Sequence, residues 1–303
     1  MTVDGEEVWR HLEHLCTKIG PRVLGTRGDH EAADYIASLF REFGLRVEID
    51  KLSCPSWDHK ETLIQTSESV FGPPHAHGCM FSPPCDIYAE VVAIGLSSGL
   101  SKMDLDGKIA LIYGELASRP LNLDRNEILL KLEERKPSAV IVISPRFDAC
   151  NTKIIRDPLF KIPSASVSAQ VGLQLMKVEG SKIRVKIEAR PFNSITANIF
   201  GSLPGRTDKR VCVAAHYDTA PGTQGAVDNA SGIAVMLEMA RLFSAKSPAK
   251  TLDFVAIAGE EYGERTGSFG GNAYVTAHED RLRKTAVLVN IDSVGAYLNT
   301  LRV

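Results

Sequence analysis

The sequence predicts an α/β fold, a mixed and largely parallel sheet flanked by helices and interrupted by a β-rich insert. Three features carry this expectation. Apolar runs at 211–215, 252–258 and 286–291 have the character of buried strands, and each breaks off at a histidine or a carboxylate. Helical periodicity lies between them, as crossovers between parallel strands require. From about residue 56 to residue 190 the texture changes to short strand-like runs, and the first pattern then resumes.

Taken in order, 4–19 and 28–43 read as amphipathic helices separated by Gly20-Pro21-Arg22 and Gly25-Thr26-Arg27. Ala32, Ala33, Ile36, Leu39, Phe40 and Phe43 form the buried stripe of the second, and Gly44 suits the residue just past its end. Residues 45–52 alternate like an edge strand. Strand-like runs follow at 89–94, 108–113, 139–143 and 182–188, with one helical stretch at 126–136; this is a small, mostly β unit inserted into a larger domain. Residues 195–200 resume a strand that leads into a turn at 201–205. The strand 211–215 ends in His216-Tyr217-Asp218. After a glycine-rich loop, apolar residues at 233, 236, 237, 240 and 243 mark a helix, with Asn229 or Ser231 as its N-cap.

The strand ends carry the chemistry. His216 and Asp218 are two residues apart, so an extended backbone sends both side chains the same way, an imidazole beside a carboxylate that can orient it. Asp228 stands just ahead of a helix, Glu260-Glu261 end the second run and Asp292 ends the third. With the strands parallel, all of them collect at the carboxyl edge of the sheet, where open α/β folds place their sites. One imidazole among carboxylates suits zinc, with cobalt and manganese as alternatives, and Asp228 is placed to bridge two ions. Glu260 and Glu261 diverge, one toward a metal and the other toward a water whose proton it can carry to a leaving amine.

The runs AAHYD (214–218), AVDNASG (226–232), AGEEYGERTGS (258–268) and VNIDSVG (289–295), with the opening IGPRVLGTRGDHEAADYIASLFREFGL, resemble the co-catalytic di-zinc aminopeptidase and glutamate carboxypeptidase family. The resemblance implies a zinc exopeptidase, most simply an aminopeptidase, built from 1–55 and 191–303, with 56–190 similar to a protease-associated domain. It implies that His216 and Asp292 each ligate one zinc, that Glu261 ligates the other, that Asp228 bridges them, that Glu260 is the general base and that Asp218 is the orienting carboxylate. A carboxypeptidase or another di-zinc amide hydrolase uses the same residues, and an inactive relative serving as a binding or scaffold protein is the non-enzyme alternative. The family also uses a histidine well beyond the third aspartate, and none follows Asp292 here, so the second metal site and the peptidase domain are expected to be incomplete within these residues.

Composition narrows the classes further. A formal net charge of −2 without a long basic run gives no reason to expect nucleic acid or an anionic membrane as partner, leaving peptide substrates and self-association. No apolar stretch approaches the roughly 20 residues that span a bilayer, and the first residues lack the pattern of a signal peptide, so the expected location is cytoplasmic, or secreted where a leader has been removed. Six cysteines without a Cys-x-x-Cys pair fit reduced thiols. His75, His77, Cys79 and Cys85 are all legitimate zinc ligands, but their spacing fits a loop of the insert better. His278 reads as a surface histidine.

Overall fold

The computed structural model describes residues 2–100, 102–117, 127–262 and 268–295, and the chain divides into two compact units, Met1–Cys54 with Asn193–Val303, and Pro55–Phe192. Two long strands, Arg46–Gln65 and Lys182–Leu203, carry the chain from one unit to the other. The first runs on through Cys54-Pro55, read from sequence as a stop, and the second joins two runs read as separate strands. Among the described residues no helix is long and apolar enough to cross a membrane.

In the first unit the strands lie in the order Thr285–Asn290, Thr207–His216, Lys250–Ile257, and then the 199–203 part of Lys182–Leu203. The first three are mutually parallel and the last is antiparallel to its neighbour. The alternation of side chains along each strand splits this sheet into two apolar faces. Val213, Ala215, Phe254 and Ala256 pack on Ile36 and Phe40 of the helix Arg27–Glu42 and on Ile233, Met236 and Leu237 of the helix Ser231–Ser244. Cys212, Val255 and Ile257 pack with Phe200 and Tyr274 on the other side. The strand Thr285–Asn290 lies at the edge, and Val287, Leu288 and Val289 are exposed there.

The amino terminus forms the helix Gly5–Glu13, capped by Asp4, whose carboxylate accepts from the amides of Glu6 (3.0 Å) and Glu7 (3.4 Å). It continues as the wider turns of His14–Ile19 rather than as one regular helix. His278 departs from its expected surface position. It sits between the helices Phe269–Ala277 and Glu279–Lys284 with its side chain only 12% exposed, paired with Asp50 at 2.5 Å and flanked by Phe200 and Tyr274. Phe200 and Asp50 come from segments distant in sequence, which is why local pattern missed them.

The second unit is less purely β than its sequence implies. Cys85–Ile94, Ile109–Ile112, Ala139–Ile143 and Ser164–Val167 form a parallel run, with Lys182–Ile187 antiparallel along one side and Ala76–Gly78 along the other. Leu129 and Leu132 of the helix Glu127–Arg135 cover one face, and Val171 and Leu175 of Ala169–Lys177, a helix not read from sequence, cover the other. Parallel strands buried on both faces need such covers. His75, His77, Cys79 and Cys85 do not converge: His77 stacks on His59 with ring centres 4.0 Å apart, His75 bonds Ser168, Cys79 is fully buried, and Cys85 turns to the carbonyl of Val185.

One buried carboxylate makes the first unit sensitive to pH. Asp29 is 0% exposed on the helix Arg27–Glu42; Oδ2 accepts the amide of Gly25 at 3.1 Å, while Oδ1 has no aligned donor among the described residues. Burial, helped by the negative charge of Asp218, pushes its carboxyl up to about 7. The folded pKa is thus above the unfolded one, so the stability from the bound proton is complete below about pH 4 and is lost as pH rises through about 7, a loss of up to about 4 kcal/mol. Asp29→Asn should therefore flatten the fall in denaturant stability between pH 5 and pH 8. Parallel pH profiles for variant and wild type would rule this out.

Candidate metal centre

Three parallel strands deliver the candidate residues to one edge of the first unit's sheet. Val213 and Ala214 of the central strand pair with Val289 and Asn290 on one side and with Phe254 and Val255 on the other, so the strand ends holding His216, Glu260 and Asp292 emerge together. The amide of Ile291 donates to Ala214 O at 2.8 Å, tying the approach to Asp292 to the strand that ends in His216.

His216 is 4% exposed and faces three carboxylates. Nδ1 lies 3.4 Å from Asp218 Oδ1, and Nε2 lies 3.0 Å from Asp228 Oδ1 and 3.5 Å from Asp292 Oδ1. His216, Asp228 and Asp292 offer ligand atoms that all lie within 4.8 Å of one another. Despite this crowd, neither ring nitrogen makes an aligned hydrogen bond among the described residues, and both are buried. Burial alone would lower the pKa of the ring; the close oxygens of Asp218, Asp228 and Asp292 outweigh it and raise it to about 12. Oxygens that favour a proton on the imidazole favour a divalent cation in its place, and loading such a site releases protons. One imidazole nitrogen with carboxylate oxygens is a donor set for zinc, cobalt or manganese, so these residues fit a metal.

Asp218 holds the arrangement together. It is fully buried; Oδ1 accepts the amide of Glu260 at 3.0 Å and Oδ2 that of Glu261 at 2.9 Å, while Oδ1 also faces His216. The turn after the strand Lys250–Ile257 is thereby fixed to the turn after Thr207–His216. Glu261 is 2% exposed and Glu260 is partly exposed; neither belongs to the cluster around His216. Residues 263–267, part of the sequence motif after these glutamates, lie outside the described residues.

Asn229 makes a second clamp, of which the sequence showed only a capping function. Its Nδ2 donates to Ile291 O at 2.9 Å, and Oδ1 accepts from Gly232 (3.0 Å) and Ser293 (3.2 Å). The residue beside Asp228 thus grips both neighbours of Asp292 and also serves an amide in the first turn of the helix Ser231–Ser244, whose N-cap is Ala230 rather than Asn229 or Ser231. Ser231 lies inside that helix and bonds back to Val227 O. A side chain at Gly232 has no room, since its Cβ would fall 2.3 Å from Asn229 Oδ1 and 2.5 Å from Ile291 O. Asn198 acts similarly on the glutamate turn, accepting the amide of Ala258 (3.0 Å) and donating to Gly270 O (2.8 Å). Long-range clamps of this kind leave no local signal beyond an amide side chain in an apolar run.

The model of peptidase family M28 matches residues 198–302. That stretch of the chain is similar to the family. It contains every candidate residue, from His216 to Asp292. Across 96% of its length the chain is 29% identical to aminopeptidase YwaD of Bacillus subtilis, and across 91% it is 24% identical to the probable lipoprotein aminopeptidase LpqL of Mycobacterium tuberculosis. It spans 64% and 55% of those two proteins. The structure superposes on that of BSAP, a zinc aminopeptidase from Bacillus subtilis, with a TM-score of 0.76 and 27% identity, covering 97% of this chain and 70% of that one. A peptidase M28 precursor from Shewanella amazonensis shares the fold, with a TM-score of 0.77, 21% identity, and 94% and 70% of the two chains covered. The mixed sheet flanked by helices is therefore the fold of M28 peptidases.

An amide at position 218 offers one acceptor oxygen to two peptide N–H groups. Asp218→Asn should lower unfolding stability by about 1–3 kcal/mol, the cost of an unsatisfied buried donor. Denaturant unfolding measures this, and a change under about 0.5 kcal/mol, typical of an uninvolved surface position, would contradict the clamp.

Proposed function

We propose that this chain is the metal-binding part of a zinc-dependent exopeptidase, most simply an aminopeptidase acting on N-terminal peptide bonds. The observation that carries the reading is His216, whose two buried nitrogens make no aligned hydrogen bond among the described residues although three carboxylates surround the ring. The match of 198–302 to a peptidase family and likeness to proteins named as zinc aminopeptidases support zinc as the metal and peptides as the substrate class. The insert is read as a protease-associated domain on its resemblance alone.

In this reading His216, Asp228 and Asp292 would hold one ion, and Asp228 and Glu261 would serve a second. Zinc bound there supplies Lewis acidity, polarising a carbonyl and acidifying water. Asp218 keeps Nδ1 of His216 as the protonated nitrogen, so that Nε2 presents its lone pair. Burial of Glu261 suits a ligand rather than a titrating group. Glu260, adjacent in sequence but partly exposed, receives the proton of the attacking water and returns it to the leaving amine.

Removal of metal with a chelator should abolish hydrolysis of aminoacyl amides, and added zinc should restore it; turnover indifferent to chelation contradicts the reading. Glu260→Gln keeps the shape but not the base. Its kcat should fall by about 10²–10⁴-fold with metal content unchanged, whereas near-normal turnover places the base elsewhere.

A further inference from the structure

Arg22 precedes the helix Arg27–Glu42 and is 0% exposed. Its guanidinium is ringed by backbone carbonyls. Nε donates to Tyr217 O at 2.7 Å; Nη1 donates to Leu15 O (3.1 Å), Gly20 O (3.0 Å) and Gln224 O (2.9 Å); Nη2 donates to Gly225 O (3.1 Å). The backbones add a reciprocal pair: the Arg22 amide donates to Thr219 Oγ1 at 2.9 Å, and the Thr219 amide donates to Arg22 O at 3.1 Å. Tyr217, Thr219, Gln224 and Gly225 all belong to the loop that begins directly after His216 and ends just ahead of Asp228.

This loop lies outside the sheet, so its carbonyls have no strand partners, and buried carbonyls need donors. A planar cation with five N–H groups spread around its rim can serve several of them at once, which the single head of a lysine cannot. The loop is closed tightly on the guanidinium. Gly225 has φ +58°, and a Cβ there would fall 3.0 Å from Arg22 Nη2, 2.4 Å from Thr219 Cγ2 and 2.5 Å from Asp228 O. Burial disfavours the charge on Arg22, while the Cys16 thiol and the carboxylate of Asp218 favour it. The cation and the loop are thus mutually dependent: the carbonyls solvate the charge, and the charge holds the carbonyls.

We propose that Arg22 is a positioning residue for the metal-site carboxylates, its guanidinium fixing the 217–225 loop and so setting Asp218 and Asp228 relative to His216. It touches no reacting atom and acts only through that loop. The proposal rests on the metal reading above.

The test titrates Co²⁺ into wild type, Arg22→Lys, Arg22→Gln and Thr219→Val, and follows hydrogen exchange at 217–228 in the metal-free proteins. Arg22→Gln should lose at least about tenfold in Co²⁺ affinity, as residues that orient metal ligands typically do. Arg22→Lys, which keeps the charge but not the fork, should lose affinity too. Exchange at 217–228 should quicken in both, while the strand Lys250–Ile257 stays protected. A core control, Phe40→Leu, should lower stability and leave Co²⁺ affinity unchanged, which separates positioning from general loosening. Thr219→Val, which removes the hydroxyl acceptor without stranding a charge, keeps the test open should Arg22→Gln fail to fold. Co²⁺ affinity and loop exchange at wild-type levels in the Arg22 variants, or in Thr219→Val if they do not fold, overturn the proposal. A wild type that takes up no Co²⁺ overturns the metal reading instead, and exchange at 217–228, which needs no metal, then decides alone: unchanged exchange overturns the part assigned to Arg22, and faster exchange supports it.

Discussion

The carboxylate of Asp218 is the constraint on which the metal centre depends. Its two oxygens serve three groups from two strand ends: the ring of His216 and the amides of Glu260 and Glu261. A buried carboxylate is costly unless hydrogen-bonded, and these amides, at a turn where the sheet has run out, are costly unless accepted. Each need meets the other. A single side chain consequently fixes the rotation of the imidazole and the placing of two glutamates, and no change in one can leave the other untouched. Asn229 does for Asp228 and Asp292 what Asp218 does for His216 and the glutamates, by neutral rather than charged hydrogen bonds.

Much of this could be read from the chain because parallel sheets impose a visible grammar. A strand buried on both faces must be apolar throughout, so 211–215, 252–258 and 286–291 stood out, and a polar residue where each run stops must sit at the strand's carboxyl end. His216, Asp228 and Asp292 could be grouped on that ground, and the structure brings their ligand atoms together. Glu261, expected to serve the other metal, is buried next to the Asp218 clamp and outside that cluster.

What sequence did not reveal has a common physical cause: the partner is remote. Arg22 looked like a loop residue between two helices, because three of its five acceptors lie some 200 positions away and all five are backbone carbonyls, which carry no residue signature. His278 looked exposed because the Phe200 ring that covers it and the Asp50 carboxylate that holds it come from remote strands. The helix Ala169–Lys177 was overlooked since its buried residues, Val171, Gly172 and Leu175, make too narrow and too small a stripe to stand out. Periodicity reports what faces a core; it is silent on which distant group a buried polar atom will meet.

The interruption of the first unit between Cys54 and Asn193 also sets an order in time. During synthesis the second unit is contiguous, and all its internal contacts are available once Phe192 has been made. The first unit has by then only its two opening helices and the start of one strand, without the three parallel strands that those helices cover. Arg22 must wait for the carbonyls of Tyr217, Gln224 and Gly225 to emerge, and Asp29 for the strands that bury it; domains generally fold as units as they become complete. The metal centre, whose ligands run from His216 to Asp292, is therefore the last part of this structure that a ribosome makes possible, and the nascent chain carries a solvated arginine and a solvated aspartate until it does.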